Sequence, residues 1–221
     1  MNKKSESGGA PAKSAARVRR DPERTRARIL EAARAEFARD GLGGARVDRI
    51  TARAGSNKRM IYYYFGNKEA LFLAALESAY EHIRQAEQSL RLTDLDPVEG
   101  MRRMVRFTWN YYLAHPEFIT LLNNENLHRA RHLKKSKAIR ALHSPLVAML
   151  EGLLARGQRA GVFRRGVDPV QLYISIAALG YFYLANNHTL STIFGRDLMR
   201  PRELKQRLVH MTEVVLGYLS R

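Results

Sequence analysis

From residue 21 onward, apolar residues return every three or four positions along most of the chain. Phe72, Leu76, Ala79, Ile83 and Leu90 make one such stripe, and Leu204, Leu208, Met211, Val215 and Tyr218 make another. That period puts about one apolar side chain per turn on a common helical face, so each stripe predicts an amphipathic helix. No segment alternates apolar and polar residues with period two over the length of a strand, and no internal repeat is visible. The pattern predicts an all-α protein of about nine or ten helices.

Proline and glycine mark where those helices start and stop. Of the seven prolines, all but Pro11 stand at candidate helix starts, where a fixed φ suits the first turn and a missing N–H costs no hydrogen bond. Asp21-Pro22, Asp96-Pro97 and Asp168-Pro169 each place a carboxylate at the N-cap and proline at the first helical position. Glu99 and Gln171, three residues after their caps, follow the capping-box pattern. Ser144-Pro145 offers a hydroxyl in the same role, while His115-Pro116 and Arg200-Pro201 restart the chain without a good cap. Gly41, Gly55, Gly66, Gly161 and Gly195 follow apolar runs and read as C-terminal stops.

Two segments near the C-terminus differ in kind. Residues 169–187 are apolar nearly all round, which predicts burial on more than one side, and the last helix, 201–219, is broadly apolar too. Such a pair either fills the centre of the fold or meets a second copy of itself. The favoured reading is a homodimer through these two helices, with a four-helix interface about a two-fold axis.

Charge narrows the partners. The formal net charge is +17, and residues 1–65 carry 16 Lys and Arg against 7 Asp and Glu. A field of that sign attracts polyanions. The longest mostly apolar stretch, LYISIAALGYFYLA, falls short of the roughly 20 residues that span a bilayer, so no membrane association is expected. Residues 1–20 lack an apolar core and read as a disordered basic arm, not a secretory signal. There are no cysteines, which excludes disulfides and thiolate chemistry and suits a cytoplasmic protein. No glycine-rich phosphate loop or nucleophile elbow is present, so neither an enzyme activity nor a cofactor is expected.

Residues 22–40 predict a first helix with Ile29, Ala32, Ala33 and Phe37 on one face. After a GLGG turn, residues 47–54 predict a two-turn helix with Val47, Ile50 and Ala54 inward. Gly55 makes the next turn, Asn57 can cap, and a third short helix covers about 58–64. A short helix, a glycine turn and a basic short helix describe a helix-turn-helix over 21–66. On a wheel of about 100° per residue, Ile61, Tyr64 and Phe65 share one arc, while Lys58, Arg59, Tyr62 and Tyr63 cover the other. A phenol hydroxyl on a rigid ring is a good donor to phosphate oxygen. The outer arc therefore suits a sugar-phosphate backbone; the competing reading is that the tyrosines only fill space.

The stretch RVDRITARAGSNKRMIYYYFGNKEALF resembles the DNA-binding signature of the TetR family of bacterial transcriptional regulators. It shares the Ile-x-Ala-x-Ala-Gly order, the aromatic row ending at Phe65, and the Lys68-Glu69-x-Leu71 start of a long fourth helix. The resemblance implies phosphate contacts from Ser56 and Tyr63, Lys58 and Arg59 facing the major groove, Tyr62 at the groove edge, and Lys68 on the backbone. Asn57 belongs to the same surface. The family usually has Thr or Ser at the position of Arg46, which can reach a phosphate but cannot cap. Arg59 either reads a guanine edge or adds a backbone contact. The arm residues Lys13, Arg17, Arg19 and Arg20 either enter a minor groove or stay a solvated tail.

The resemblance further implies that residues 67–221 bind a small-molecule effector and dimerise, with the effector tilting helix four. The two recognition helices of a dimer must match major grooves about 34 Å apart, so a small tilt breaks several contacts together. Candidate chamber residues are Phe107, Trp109, Tyr112, Phe118, Asn123, Asn124, His128, Tyr173 and Tyr181, a mixed aromatic and amide lining suited to a partly polar aromatic molecule. Glu125, His128 and His132 fall at helical spacing but within a basic segment, HRARHLKKSK, and read as a solvated face and not a metal site. The function implied is an effector-responsive regulator, a repressor by type, that binds double-stranded operator DNA with palindromic symmetry. The alternative is a non-specific architectural DNA-binding protein, which the net charge favours.

Overall fold

The structure, a computed structural model, describes residues 21–220, and no strand occurs among them; the basic arm of residues 1–20 lies outside the described residues. Ten α-helices follow in order: α1 Pro22–Gly44, α2 Val47–Ala54, α3 Lys58–Phe65, α4 Lys68–Gln88, α5 Pro97–Ala114, α6 Pro116–Leu127, α7 Ile139–Arg159, α8 Pro169–Ala185, α9 Asn187–Ile193 and α10 Pro201–Leu219. Regular α1 ends where expected, because Gly41 takes a left-handed φ of 65° and breaks the helix.

The three Asp-Pro pairs act alike. Asp21, Asp96 and Asp168 each accept a backbone N–H two residues on, from Glu23 at 3.0 Å, Val98 at 2.9 Å and Val170 at 2.8 Å. Each such cap contributes about 1 kcal/mol. The Glu99 carboxylate turns instead to Arg102 at 3.5 Å. Ser144-Pro145 does not start a helix: α7 begins at Ile139 and Pro145 lies inside it. The hydroxyl that satisfies a first-turn N–H there belongs to Ser136, which accepts from Ile139 at 3.1 Å.

α1 to α3 gather around the N-terminal half of α4. Ile29, Ala33, Phe37, Ile50, Ile61, Leu71 and Phe72 are fully buried, and Phe37 meets Phe72 edge to face at 5.1 Å. Burying a side chain of this size contributes about 2–3 kcal/mol. α5 forms the axis of the rest, packed against α7, α8 and α10, while α6 leans on α1. α4 thus belongs to both parts, with α1 and α3 beside its start and α7 beside it further on.

The two C-terminal helices are not buried all round. α8 hides Leu172, Ile176, Gly180 and Leu184 but bares Ile174 and Phe182, which are 50% and 58% exposed, along with Val170. The two sets are offset by two positions, about 200° round the helix. α10 hides Met211, Val215 and Leu219 and bares Val209, Val214 and Tyr218. Tyr218, expected on the inner stripe, is displaced from it by Leu219 and lies under the Arg164 guanidinium at 3.8 Å. Leu90 falls beyond the end of α4. No described helix is long and apolar enough to cross a membrane.

Candidate nucleic-acid interface and effector chamber

The α2–α3 turn is built by local chemistry. Gly55 adopts φ 54°, a left-handed value that glycine takes without strain, and its carbonyl accepts from Arg28 at 3.2 Å, which ties the turn to α1. The Asn57 side chain caps α3 by accepting the Met60 N–H at 3.1 Å. Ile61 and Phe65 then point into the core, Tyr64 is half-buried against Phe65, and Tyr63 stands 77% exposed beside exposed Tyr62, Lys58 and Arg59. The helical wheel is reproduced residue by residue. Lys58 pairs with Asp48 of α2 at 2.7 Å, and that hydrogen bond and charge hold its ammonium above the usual lysine range.

The remaining residues of this surface differ in readiness. The Ser56 hydroxyl is shielded and has no hydrogen-bond partner among the described residues. The Lys68 ammonium donates to the Gly43 carbonyl at 3.4 Å, and the Asn67 side chain caps α4. Arg46 is exposed and α2 has no side-chain cap. Its start is secured otherwise: buried Glu36 accepts the Arg46 backbone N–H at 2.9 Å and Arg49 Nε at 2.6 Å, while its other oxygen takes Arg39 at 2.7 Å. Sequence reasoning missed Glu36. The available signal was a carboxylate placed within the inward stripe of Ile29, Ala32, Ala33 and Phe37.

In the C-terminal part a half-open cleft of about 310 Å³ lies between α5, α6, α8 and α9, lined by Tyr112, Ile119, Asn123, Leu184 and His188 among others. Such a volume suits a small molecule. Of the chamber residues named from sequence, Tyr112 and Asn123 line the cleft. Phe118 stacks on Tyr112 at 6.0 Å, and the Tyr181 hydroxyl donates to Asn123 Oδ1. Tyr173 belongs to a second group, accepting from Arg84 at 2.8 Å. Phe107, Trp109, Asn124 and His128 are not among the lining residues. Phe107 packs on Tyr111 at 5.8 Å and Trp109 on Tyr183 at 5.7 Å. Asn124 donates to the Thr120 carbonyl, and His128 Nδ1 sits 2.7 Å from the Asn124 carbonyl oxygen at the end of α6.

Glu125 and His132 do not form a solvated face; they are 2% and 1% exposed. α6 stops at Leu127, and Arg129 and Ala130 take left-handed φ values of 56° and 58° that turn the chain back. His132 then meets Glu125 with Nδ1 at 2.7 Å from Oε2. Oε1 accepts the backbone N–H of His132 at 2.8 Å and of Leu133 at 2.9 Å. The His132 ring lies edge-on to Phe72 of α4 at 5.1 Å, and Arg131 pairs with Glu69 at the start of α4 at 2.9 Å. The segment after α6 therefore couples to the helix that leaves the α1–α3 unit.

A further pair, Arg84 and Glu87 on α4, is buried and was not found from sequence, although both stand on the inward side of the stripe that includes Leu76 and Ile83. Burial pushes the Glu87 carboxyl up to about 7, with Arg84 pulling the other way. Burial likewise raises the Tyr80 phenol to about 12 and Tyr112 further still, so these phenols stay neutral.

Comparison with known proteins places this geometry. Residues 29–75 match the model of bacterial regulatory proteins of the tetR family, and residues 97–215 match that of the tetracyclin repressor-like C-terminal domain. The HTH-type transcriptional repressor NicS of Pseudomonas putida is 43% identical over 199 residues, 90% of this chain and 94% of that protein. The HTH-type transcriptional repressor SCO4008 of Streptomyces coelicolor is 37% identical over 162 residues, 72% of this chain and 78% of its own. Among solved structures, the putative transcriptional regulator SCO4942 from Streptomyces coelicolor superposes with a TM-score of 0.65 at 26% identity, covering 88% of this chain and 98% of that one. These proteins are regulators, not enzymes. With a helix-turn-helix at its N-terminus, a helical C-terminal domain and relatives matched along nearly its whole length, the chain belongs to the TetR family of bacterial DNA-binding transcriptional regulators.

Proposed function

We propose that the chain is an effector-released repressor that binds a palindromic operator as a homodimer, with residues 21–66 reading DNA and residues 67–221 sensing and pairing. The observation that carries this reading is the bare face of α3, where Lys58, Arg59, Tyr62 and Tyr63 stand exposed above buried Ile61 and Phe65. Two cations and two phenol donors on one short helix fit a phosphate-lined major groove. Arg46, Ser56, Asn57 and Lys68 flank that face. The uncovered apolar stripes of α8 and α10 fit the same stripes of a second copy, since contiguous bare apolar surface in a water-exposed protein calls for a partner.

An effector acts only through a difference in affinity between two arrangements of the protein. The cleft is bounded by α6, which meets α1, and the segment after α6 meets the start of α4 through the Arg131–Glu69 pair. Occupying the cleft thus bears directly on the elements that carry α3. Selection from a random duplex pool tests the reading. It is expected to return a two-fold-symmetric sequence with spaced half-sites. Equal affinity for the selected duplex and its scrambled version would instead support the architectural alternative.

A further inference from the structure

A partly enclosed pocket of about 310 Å³ lies between the start of α1, the α2–α3 turn and one side of α3, lined by Thr25, Arg28, Ser56, Asn57, Met60 and Tyr64 among others. On the helical wheel, Met60 and Tyr64 follow Tyr63 round α3 and stand away from Lys58 and Tyr62. The pocket therefore borders the bare face of α3 along its Tyr63 edge. No residue of α1 belongs to that face or to the four residues that flank it.

Arg28 is the one charged residue among the lining residues, and it is exposed. One Nη donates to the Gly55 carbonyl at 3.2 Å, which anchors the guanidinium at the pocket wall. A guanidinium has five N–H donors in one plane, so most of them stay available. Thr25, one turn before Arg28 on α1, is half-buried and adds a hydroxyl. The Ser56 hydroxyl is shielded without a partner, and a polar group left in that state calls for one. The amides at the start of α1 are already taken, since Asp21 Oδ1 accepts those of Glu23 at 3.0 Å and Arg24 at 3.4 Å. The pocket thus offers side-chain donors around a single cation, which is the chemistry that recognises phosphate oxygens.

We propose that this pocket is a socket for one phosphate of the duplex backbone, so that Thr25 and Arg28 of α1 extend the DNA contact beyond the α2–α3 unit. Arg28 takes two phosphate oxygens through its fork, Thr25 donates its hydroxyl, and Ser56 gains an acceptor. The phosphate belongs to the strand that flanks α3 on its Tyr63 side. Because Arg28 also holds the Gly55 carbonyl, one side chain joins this contact to the turn that aims α3. The basic arm is the poorer occupant, because residues 1–20 carry six Lys and Arg against one Glu and Arg28 repels them. The proposal rests on the DNA-binding reading above and names a further part of its site.

Salt titrations of duplex binding by the full chain test it, since each lost phosphate contact reduces the steepness of log affinity against log salt by about one. On the selected duplex, Arg28→Gln is expected to weaken binding about tenfold and to reduce the steepness by about one, while Arg28→Lys keeps it. Thr25→Val is expected to cost about threefold with the melting temperature held. A folded Arg28→Gln protein with the parent's salt dependence would show that Arg28 only braces the turn, and would overturn the proposal. If that variant does not fold, neutral methylphosphonate linkages decide. The linkage at the socket should cost the parent about tenfold and the Thr25→Val protein about threefold; equal costs at every linkage would overturn the proposal. Failure of the operator reading looks different. A selection that returns no preferred sequence removes that reading, yet salt titrations on a random-sequence duplex still decide the socket, because phosphate contacts carry no sequence information.

Discussion

Helices α3 and α8 each bury one face and bare the other, and what they bare differs in kind. α3 hides Ile61 and Phe65 and shows two cations and two phenols. α8 hides Leu172, Ile176 and Leu184 and shows Val170, Ile174 and Phe182. Water and counterions satisfy a cationic, hydrogen-bonding face until a polyanion displaces them. Nothing in water satisfies an apolar stripe, which is stable only when covered. On the reading proposed above, the first face stands idle between encounters and the second takes a standing partner, so binding and pairing sit on different helices and are separable by substitution.

The largest effect is expected from the apolar side. With Ile174 and Phe182 both changed to Asp, the protein should sediment as a folded monomer, and operator affinity should fall about a hundredfold, because a single copy reaches one half-site. A dimer with undiminished affinity would show that α8 is not the pairing surface. Next, Glu36→Ala removes the carboxylate that secures α2 beneath α3, and denaturant unfolding should show a loss of about 2 kcal/mol; an unmoved midpoint would mean that Arg46 and Arg49 do not depend on it. Tyr63→Phe deletes one donor from the bare face of α3 and should weaken operator binding about fivefold with the melting temperature held. Full affinity in a gel shift would remove that hydroxyl from the contact. The smallest change comes from Asp48→Asn, which frees Lys58 from its exposed partner and should strengthen operator binding about twofold while steepening its salt dependence. An unchanged salt slope would leave Lys58 outside the interface.

What could be read from sequence follows from how local each feature is. The Asp-Pro caps need only the next two or three residues, and the two sides of α3 need only eight residues and a tight turn, so both emerged correctly. Groups whose partners come from elsewhere did not. Glu36 finds Arg46 ten residues on, His132 folds back seven residues to Glu125, and Arg84 meets Tyr173 at a separation of 89. A charge on an apolar stripe looks the same in sequence whether it reaches out to water or is enclosed, since long side chains do either. Helical spacing also misplaced His132, because the left-handed Arg129 and Ala130 end the helix before it. Within α10, a shift of one residue between Tyr218 and Leu219 exchanged an outer side chain for an inner one.

Gly41 joins the two parts of the molecule at a point without slack. A methyl added there would fall 2.4 Å from Asn124 Oδ1 of α6, and its backbone conformation resists any side chain. α6 and the end of α1 consequently touch side chain to backbone, with Asn124 set against Gly41. On the reading proposed above, a displacement of α6 would reach the end of α1 through this contact, and from there the two helices that follow.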